Sequence, residues 1–77
     1  MDLILSKHWL KKREKKRKDI SKDTIEFAIT NSKEMKDKYW EGVFNAVCKV
    51  PPSGRMLKVV YKKADQKVFI VTAYWLN

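Results

Sequence analysis

This 77-residue chain has little of what many catalytic and secreted proteins contain. It has one cysteine, Cys48, and one histidine, His8, so no internal disulfide and no His/Cys zinc cluster can form. Two glycines leave no Gly-rich phosphate loop. No apolar run approaches the ~20 residues of a membrane-spanning helix. We therefore expect a cytoplasmic protein that has no metal, no other cofactor and no membrane contact.

Acidic residues are also scarce, since 9 of them stand against 18 lysines and arginines, a net charge of +9. Residues 1–22 carry +6 of this charge, because they hold nine basic and three acidic residues. The densest stretch runs through Lys11, Lys12, Arg13, Lys15, Lys16, Arg17 and Lys18. Like charges at this density repel one another unless a polyanion neutralises them. The sequence therefore indicates a nucleic acid as partner.

The basic run also has a helical pattern. If Ser6 caps a helix that continues to about Asp19, each residue advances by about 100° around its axis. The residues on one arc are then Trp9, Leu10, Arg13 and Arg17, with Leu3 and Ile20 extending it. Arginines on this arc would face the rest of the fold, where each could grip a phosphate or pair with an acidic side chain.

The rest of the chain predicts a short helix and three longer strands. Ser21 is a good N-cap for a helix that ends near Asn31, and residues 33–41 form a loop with a short edge strand. The strands are predicted at 43–50, 55–62 and 67–76, separated by a Pro-Pro-Ser-Gly turn and a tight connection. We expect one α+β domain over residues 1–77: two N-terminal helices packed on a three- to four-stranded antiparallel sheet.

Alternation assigns strand faces only in part. In strand 43–50, one face carries Phe44, Ala46, Cys48 and Val50, and the other carries Asn45 and Lys49. Strand 55–62 stays ambiguous: Arg55, Leu57, Val59 and Tyr61 share one face, and Met56, Lys58, Val60 and Lys62 share the other. The last strand is almost wholly apolar, which predicts a central position or cover on both faces.

Several segments together resemble a known family. They are the basic helix with His8, Arg13 and Arg17, the "DIS" that opens the second helix, and the terminal "RMLKVVY" and "VFIVTAYWL". Over about residues 6–75 the chain resembles RelE-type ribonuclease toxins and the wider barnase-EndoU-colicin-RelE-like nuclease superfamily. This resemblance implies a metal-independent fold, RNA lying across the open sheet face, and an antitoxin protein as partner.

Metal-free RNA cleavage requires proton transfer and fixed positive charge at the phosphate. Arg55, at a strand entrance, is the candidate for the charge, and His8 or Tyr61 is the candidate for proton transfer. Tyr74 or a lysine with a lowered pKa are alternatives for that role. A single histidine near a helix start is also compatible with an exposed or capping position.

The residues predicted to bind nucleic acid are Lys11, Lys12, Arg13, Lys15, Lys16, Arg17, Lys58 and Lys62. Lys58 and Lys62 could instead protect an exposed strand edge from aggregation. Trp9, Trp40 and Trp75 could stack on bases, but packing in the core or a partner's docking site would explain them as well.

Three functions remain open from the sequence. The first is a metal-independent endoribonuclease, the toxin of a toxin–antitoxin pair, acting on RNA with or without the ribosome. The second is a non-catalytic nucleic-acid-binding module on the same scaffold. The third is a partner-binding protein whose basic helix docks on an acidic segment, such as that of a small acidic antitoxin.

Overall fold

The computed structural model of the chain describes residues 2–7, 9–11 and 19–76. Its elements are β1 (Asp2–Leu5), α1 (Lys22–Thr30), β2 (Glu34–Lys36), β3 (Val43–Val50), β4 (Arg55–Ala64) and β5 (Lys67–Trp75). Residues 7 and 9–11 are also helical, and we call them the N-terminal helical turn.

The strands form one five-stranded sheet in the order β1-β5-β4-β3-β2. β1 runs parallel to β5, and the other neighbours are antiparallel. The predicted three- to four-stranded antiparallel sheet behind two N-terminal helices is therefore wrong, because the sheet is mixed, has five strands and begins before the first helix. Sequence periodicity misses β1 because four residues are too few to show a period. Its pairing of Leu3 with Val68 joins distant parts of the chain, which no local pattern indicates.

Both predicted helix N-caps are confirmed. The Ser6 hydroxyl accepts a hydrogen bond from the Trp9 backbone N–H at 3.0 Å. The Ser21 hydroxyl accepts one from the Thr24 N–H at 3.1 Å, which satisfies a donor that has no partner inside the helix. α1 ends as predicted, with Asn31 as its C-cap.

The core lies on one side of the sheet, which we call the core face. Trp9 of the N-terminal helical turn, Ile20, and Ile25 and Ala28 of α1 are fully buried there. The strands contribute Leu3, Ala46, Cys48, Val50, Leu57, Val59, Tyr61, Val68, Ile70 and Ala73. Trp9 therefore faces inward as predicted, whereas Leu10, predicted on the same arc, is 40% exposed, so the prediction is wrong for that residue.

The opposite side of the sheet, which we call the open face, is only partly buried. β3 alternates as predicted, so Asn45 and Lys49 lie on the open face. β4 places Leu57, Val59 and Tyr61 on the core face, and the register then places Met56, Lys58, Val60 and Lys62 on the open face. β4 lies between β3 and β5. Protection of a strand edge by Lys58 and Lys62 is therefore wrong.

β5 occupies the predicted interior position, between β1 and β4. Only its core face is covered by other elements. On the open side, four side chains remain partly accessible: Phe69, Val71, Thr72 and Tyr74. A register shift between Val60 and Tyr61 leaves Val71 unpaired with β4. Among the described residues, no helix is both long and apolar enough to cross a membrane.

Candidate nucleic-acid interface

Arg55 begins β4 and is engaged by two neighbours. Its Nη1 atom lies 3.6 Å from Asp19 Oδ2, and its guanidinium carbon lies 4.5 Å from the ring centre of Trp75. The Trp75 indole N–H donates to the same Asp19 oxygen at 2.8 Å. The guanidinium is thus paired along its edge and stacked on one side, although the side chain is still 43% exposed.

Tyr61 is fully buried, and its hydroxyl donates to Glu34 Oε2 at 2.8 Å. Burial, followed by the Glu34 hydrogen bond, raises the pKa of the Tyr61 phenol above its usual value. Lys63 donates to Glu34 Oε1 at 2.9 Å. The pKa of Glu34 is lowered, first by the Lys63 hydrogen bond and also by that of Tyr61. This cluster joins the edge strand β2 to β4 across β3.

The residues predicted to be catalytic do not converge within the described part of the chain. Arg55 and Tyr61 lie six positions apart on β4, which corresponds to about 20 Å at the usual rise of ~3.3 Å per residue. One phosphate cannot contact both. His8 lies outside the described residues, so its catalytic role stays a prediction, as do the roles of Arg55 and Tyr61.

Most of the basic run lies outside the described residues as well. This applies to Lys12, Arg13, Lys15, Lys16 and Arg17, and to the prediction that the two arginines face the sheet. Lys11 is helical and exposed. Trp9 and Ile20, on either side of the run, are both fully buried. The described residues that flank the run, Trp9 and Ile20, therefore belong to the core face.

The open face carries lysines and no acidic side chain at its strand positions from β2 to β5. The register places Lys49 of β3, Lys58 and Lys62 of β4, and Lys67 of β5 on this side. The other positions hold apolar residues, asparagine, threonine and tyrosine. This side of the sheet therefore attracts anions, and the predicted binding residues Lys58 and Lys62 lie together in its middle strand.

Exposed aromatic side chains stand beside these lysines. Tyr39 is 87% exposed and Trp40 is 69% exposed, in the loop between β2 and β3. Tyr74 lies on the open face opposite Lys58, whose ammonium is 5.9 Å from its ring centre. An indole this exposed in so small a protein is typical of a contact surface. Of the three tryptophans, Trp9 is core and Trp75 belongs to the Arg55 cluster, so Trp40 is the one available for stacking.

Asp37 organises the aromatic loop. Its carboxylate accepts hydrogen bonds from the backbone N–H groups of Tyr39 at 2.9 Å and Trp40 at 3.0 Å, and from the Asn45 side chain at 3.1 Å. The Tyr39 N–H lowers the pKa of Asp37 most, followed by the Asn45 amide. Asp37 N–H also donates to Val43 O at 2.9 Å, which closes the loop at its base.

Sequence reasoning missed Asp37, Asn45 and Lys49. One signal was available, because an aspartate at the start of a loop commonly accepts hydrogen bonds from backbone N–H groups two and three residues later. The partner Asn45 comes from the next strand, and no local pattern indicates that contact. No group of three or more His, Cys, Asp or Glu side chains comes together among the described residues.

No protein-family model, curated protein or solved structure matches this chain. The resemblance to RelE-type nucleases, and the activity and antitoxin partner that it implies, therefore stay predictions that these comparisons do not test.

Proposed function

We propose that this chain is a non-catalytic module that binds single-stranded nucleic acid, RNA in particular, on its open face. The observation that carries the proposal is the combination of exposed aromatic rings and lysines on one uncovered sheet face. Bases stack on aromatic side chains whatever their identity, and lysines neutralise the phosphates between them. A flat sheet exposes several such side chains at strand spacing, which suits an extended strand better than a duplex.

The geometry favours binding over cleavage. The Arg55 guanidinium already holds a carboxylate and an indole. Tyr61 donates a hydrogen bond to Glu34, and its raised pKa keeps the phenol protonated, which makes it a poor general base near neutral pH. An endoribonuclease would need another set of groups, which could include His8. The second choice is therefore the toxin hypothesis: an endoribonuclease with an acidic antitoxin as partner, acting on RNA with or without the ribosome. The same experiments test it.

The basic run would add to the affinity of the open face for a polyanion. Its lysines and arginines would neutralise further phosphates of a long strand or bind an acidic protein segment. RNA is the expected target in the cytoplasm, where a single reduced cysteine such as Cys48 is stable.

The test is equilibrium binding of single-stranded RNA at several salt concentrations. Affinity should fall with salt at a log–log slope of about −0.7 for each phosphate contacted. Replacing both Lys58 and Lys62 with Gln should weaken binding at low salt and make that slope shallower by roughly 1.4, the share of two phosphates. The matched control replaces Lys7 and Lys22, exposed lysines of the two helical elements, with Gln and should change the slope less.

Two results would contradict the proposal. One is absence of RNA binding by the folded protein at low salt. The other is an equal or larger effect of the Lys7 and Lys22 variant, which would place the contact on the helical side. Incubation of a long RNA with the protein in EDTA distinguishes the two hypotheses. Cleavage without metal, giving products that end in a 2′,3′-cyclic phosphate, would favour the nuclease.

A further inference from the structure

A groove of about 370 Å³ opens on the open face beside the exposed indole. Its walls are formed by Trp40, Val43, Val60, Lys62 and Val71. Apart from the Lys62 ammonium, these side chains are apolar or aromatic, and none is acidic. The volume is at the lower end of the ~300–1,000 Å³ typical of small-molecule sites. The groove therefore suits a flat ring with a negative charge next to it.

A larger cavity of about 620 Å³ lies within the neighbouring loop, but it is less suited to a polyanion. Its lining includes Asp37 and Glu41, both acidic. Asp37 is also committed to the backbone of the loop and to Asn45. The smaller groove beside Trp40 is thus the better candidate for a ligand that carries phosphates.

The sheet itself shapes the floor of the groove. Val43 and Lys62 are direct partners on β3 and β4. Val71 lies at the register shift, between the pair of Val60 with Thr72 and the pair of Tyr61 with Ile70. Such bulges change the direction of side chains and are common next to functional sites. Here the residue at the bulge, Val71, lines the groove.

The wall of the groove is held in place before any ligand arrives. Trp40 N–H donates to the Asp37 carboxylate at 3.0 Å, and Trp40 O accepts from Val43 N–H at 3.3 Å. The backbone that carries the indole is therefore held by hydrogen bonds at both its N–H and its C=O. A loop whose backbone is already ordered loses less conformational entropy when its side chains bind a ligand.

We propose that this groove receives one unstacked nucleobase of a single strand, between the Trp40 indole and the valine floor, while Lys62 binds an adjacent phosphate. This inference rests on the proposed function and specifies its ligand. The only side-chain hydrogen-bonding groups of the lining are two donors, the Lys62 ammonium and the Trp40 indole N–H, and there is no acceptor. A full donor–acceptor pattern of a base edge is therefore not read, and we expect different bases to bind alike. The paired and stacked bases of a duplex cannot enter.

The experiment compares oligouridine, oligoadenosine and an abasic oligonucleotide of the same length by binding and by tryptophan fluorescence. Both base-bearing strands should quench the emission of Trp40, and the abasic strand should not. Trp40→Ala should weaken the binding of both base-bearing strands by about 5- to 150-fold, the range for loss of one base–aromatic stack. Trp40→Phe keeps a stacking ring and should retain most of the affinity while losing the fluorescence change.

Both variants should fold normally because the indole is largely exposed, and circular dichroism checks this. Several results would overturn the inference: equal affinity for the abasic strand, a preference above about tenfold for one base, tighter binding of duplex RNA, or unchanged affinity in Trp40→Ala. Salt-dependent binding that is unchanged in Trp40→Ala would contradict the role of the groove but leave the proposed function standing. If none of the strands binds at low salt, both the groove inference and the proposed function are contradicted.

Discussion

Replacement of Tyr61 with Phe tests the cluster that joins the edge strand to the middle of the sheet. The change removes one hydroxyl that donates to Glu34 at 2.8 Å and leaves the buried ring in place. A hydrogen bond to a charged group contributes about 1.5–3 kcal/mol when it is well buried. Glu34 is about one-third exposed and keeps Lys63 as a partner, so water and the ammonium can compensate in part. We therefore expect a loss of about 1–2 kcal/mol.

The assay is urea and thermal unfolding, where each kcal/mol corresponds to about 4–8 °C in Tm for a domain of this size. The matched control is Tyr39→Phe. Tyr39 is 87% exposed, so loss of its hydroxyl should change the free energy of unfolding by less than about 0.5 kcal/mol. The double variant of Tyr61→Phe with Glu34→Gln should be less destabilised than the sum of the two single variants, because Glu34→Gln removes the charge and Tyr61→Phe the donor of the same hydrogen bond.

The difference between wild type and Tyr61→Phe should depend on pH. The pKa of Glu34 is lowered from 4.5, so its contribution is present above that pH and is lost as pH falls through the folded-state pKa. The pKa of Tyr61 is raised from 10.0, so its contribution is present below that pH and is lost as pH rises further. The difference should therefore be greatest between these limits. Equal stability of wild type and variant near neutral pH would refute the reasoning.

Two further predictions concern the neighbouring clusters. Arg55→Ala should cost about 1 kcal/mol, because it removes an exposed ion pair with Asp19 and the stacking on Trp75. RNA affinity measured on the same variant should stay within a few-fold of wild type, and a loss of more than about tenfold would instead assign Arg55 to a phosphate of the bound strand. Asp37→Ala should weaken RNA binding and change the emission of Trp40, since it removes the carboxylate that holds the loop; Asp37→Asn keeps one acceptor and should have the smaller effect. Unchanged affinity and emission in Asp37→Ala would mean that the loop does not need its carboxylate.

Interactions between residues close in sequence could be predicted well. The caps at Ser6 and Ser21, the end of α1 near Asn31 and the alternation of β3 all depend on contacts within a few positions, and all are confirmed. The clustering of positive charge and the scarcity of cysteine and histidine are likewise properties of the sequence alone. The clustering of charge was enough to indicate a polyanion as partner, and that partner stays a prediction.

Contacts between distant segments decided the rest. β1 forms because a four-residue segment, three of whose residues are apolar, pairs in parallel with β5 at the far end of the chain. The core face of β4 is the one on which Trp9, Ile20 and α1 pack, and that choice exposes Lys58 and Lys62 and buries Tyr61.

The candidate site shows the same division. The sequence by itself supplied Trp40, Lys58 and Lys62 as separate candidates, because residue type and local pattern are visible in it. Only the tertiary structure brought Trp40 and Lys62 to one groove. The physical reason is that a strand repeats every two residues and so presents two faces with equal local preference. Which face stays accessible depends on the helices that pack against the other.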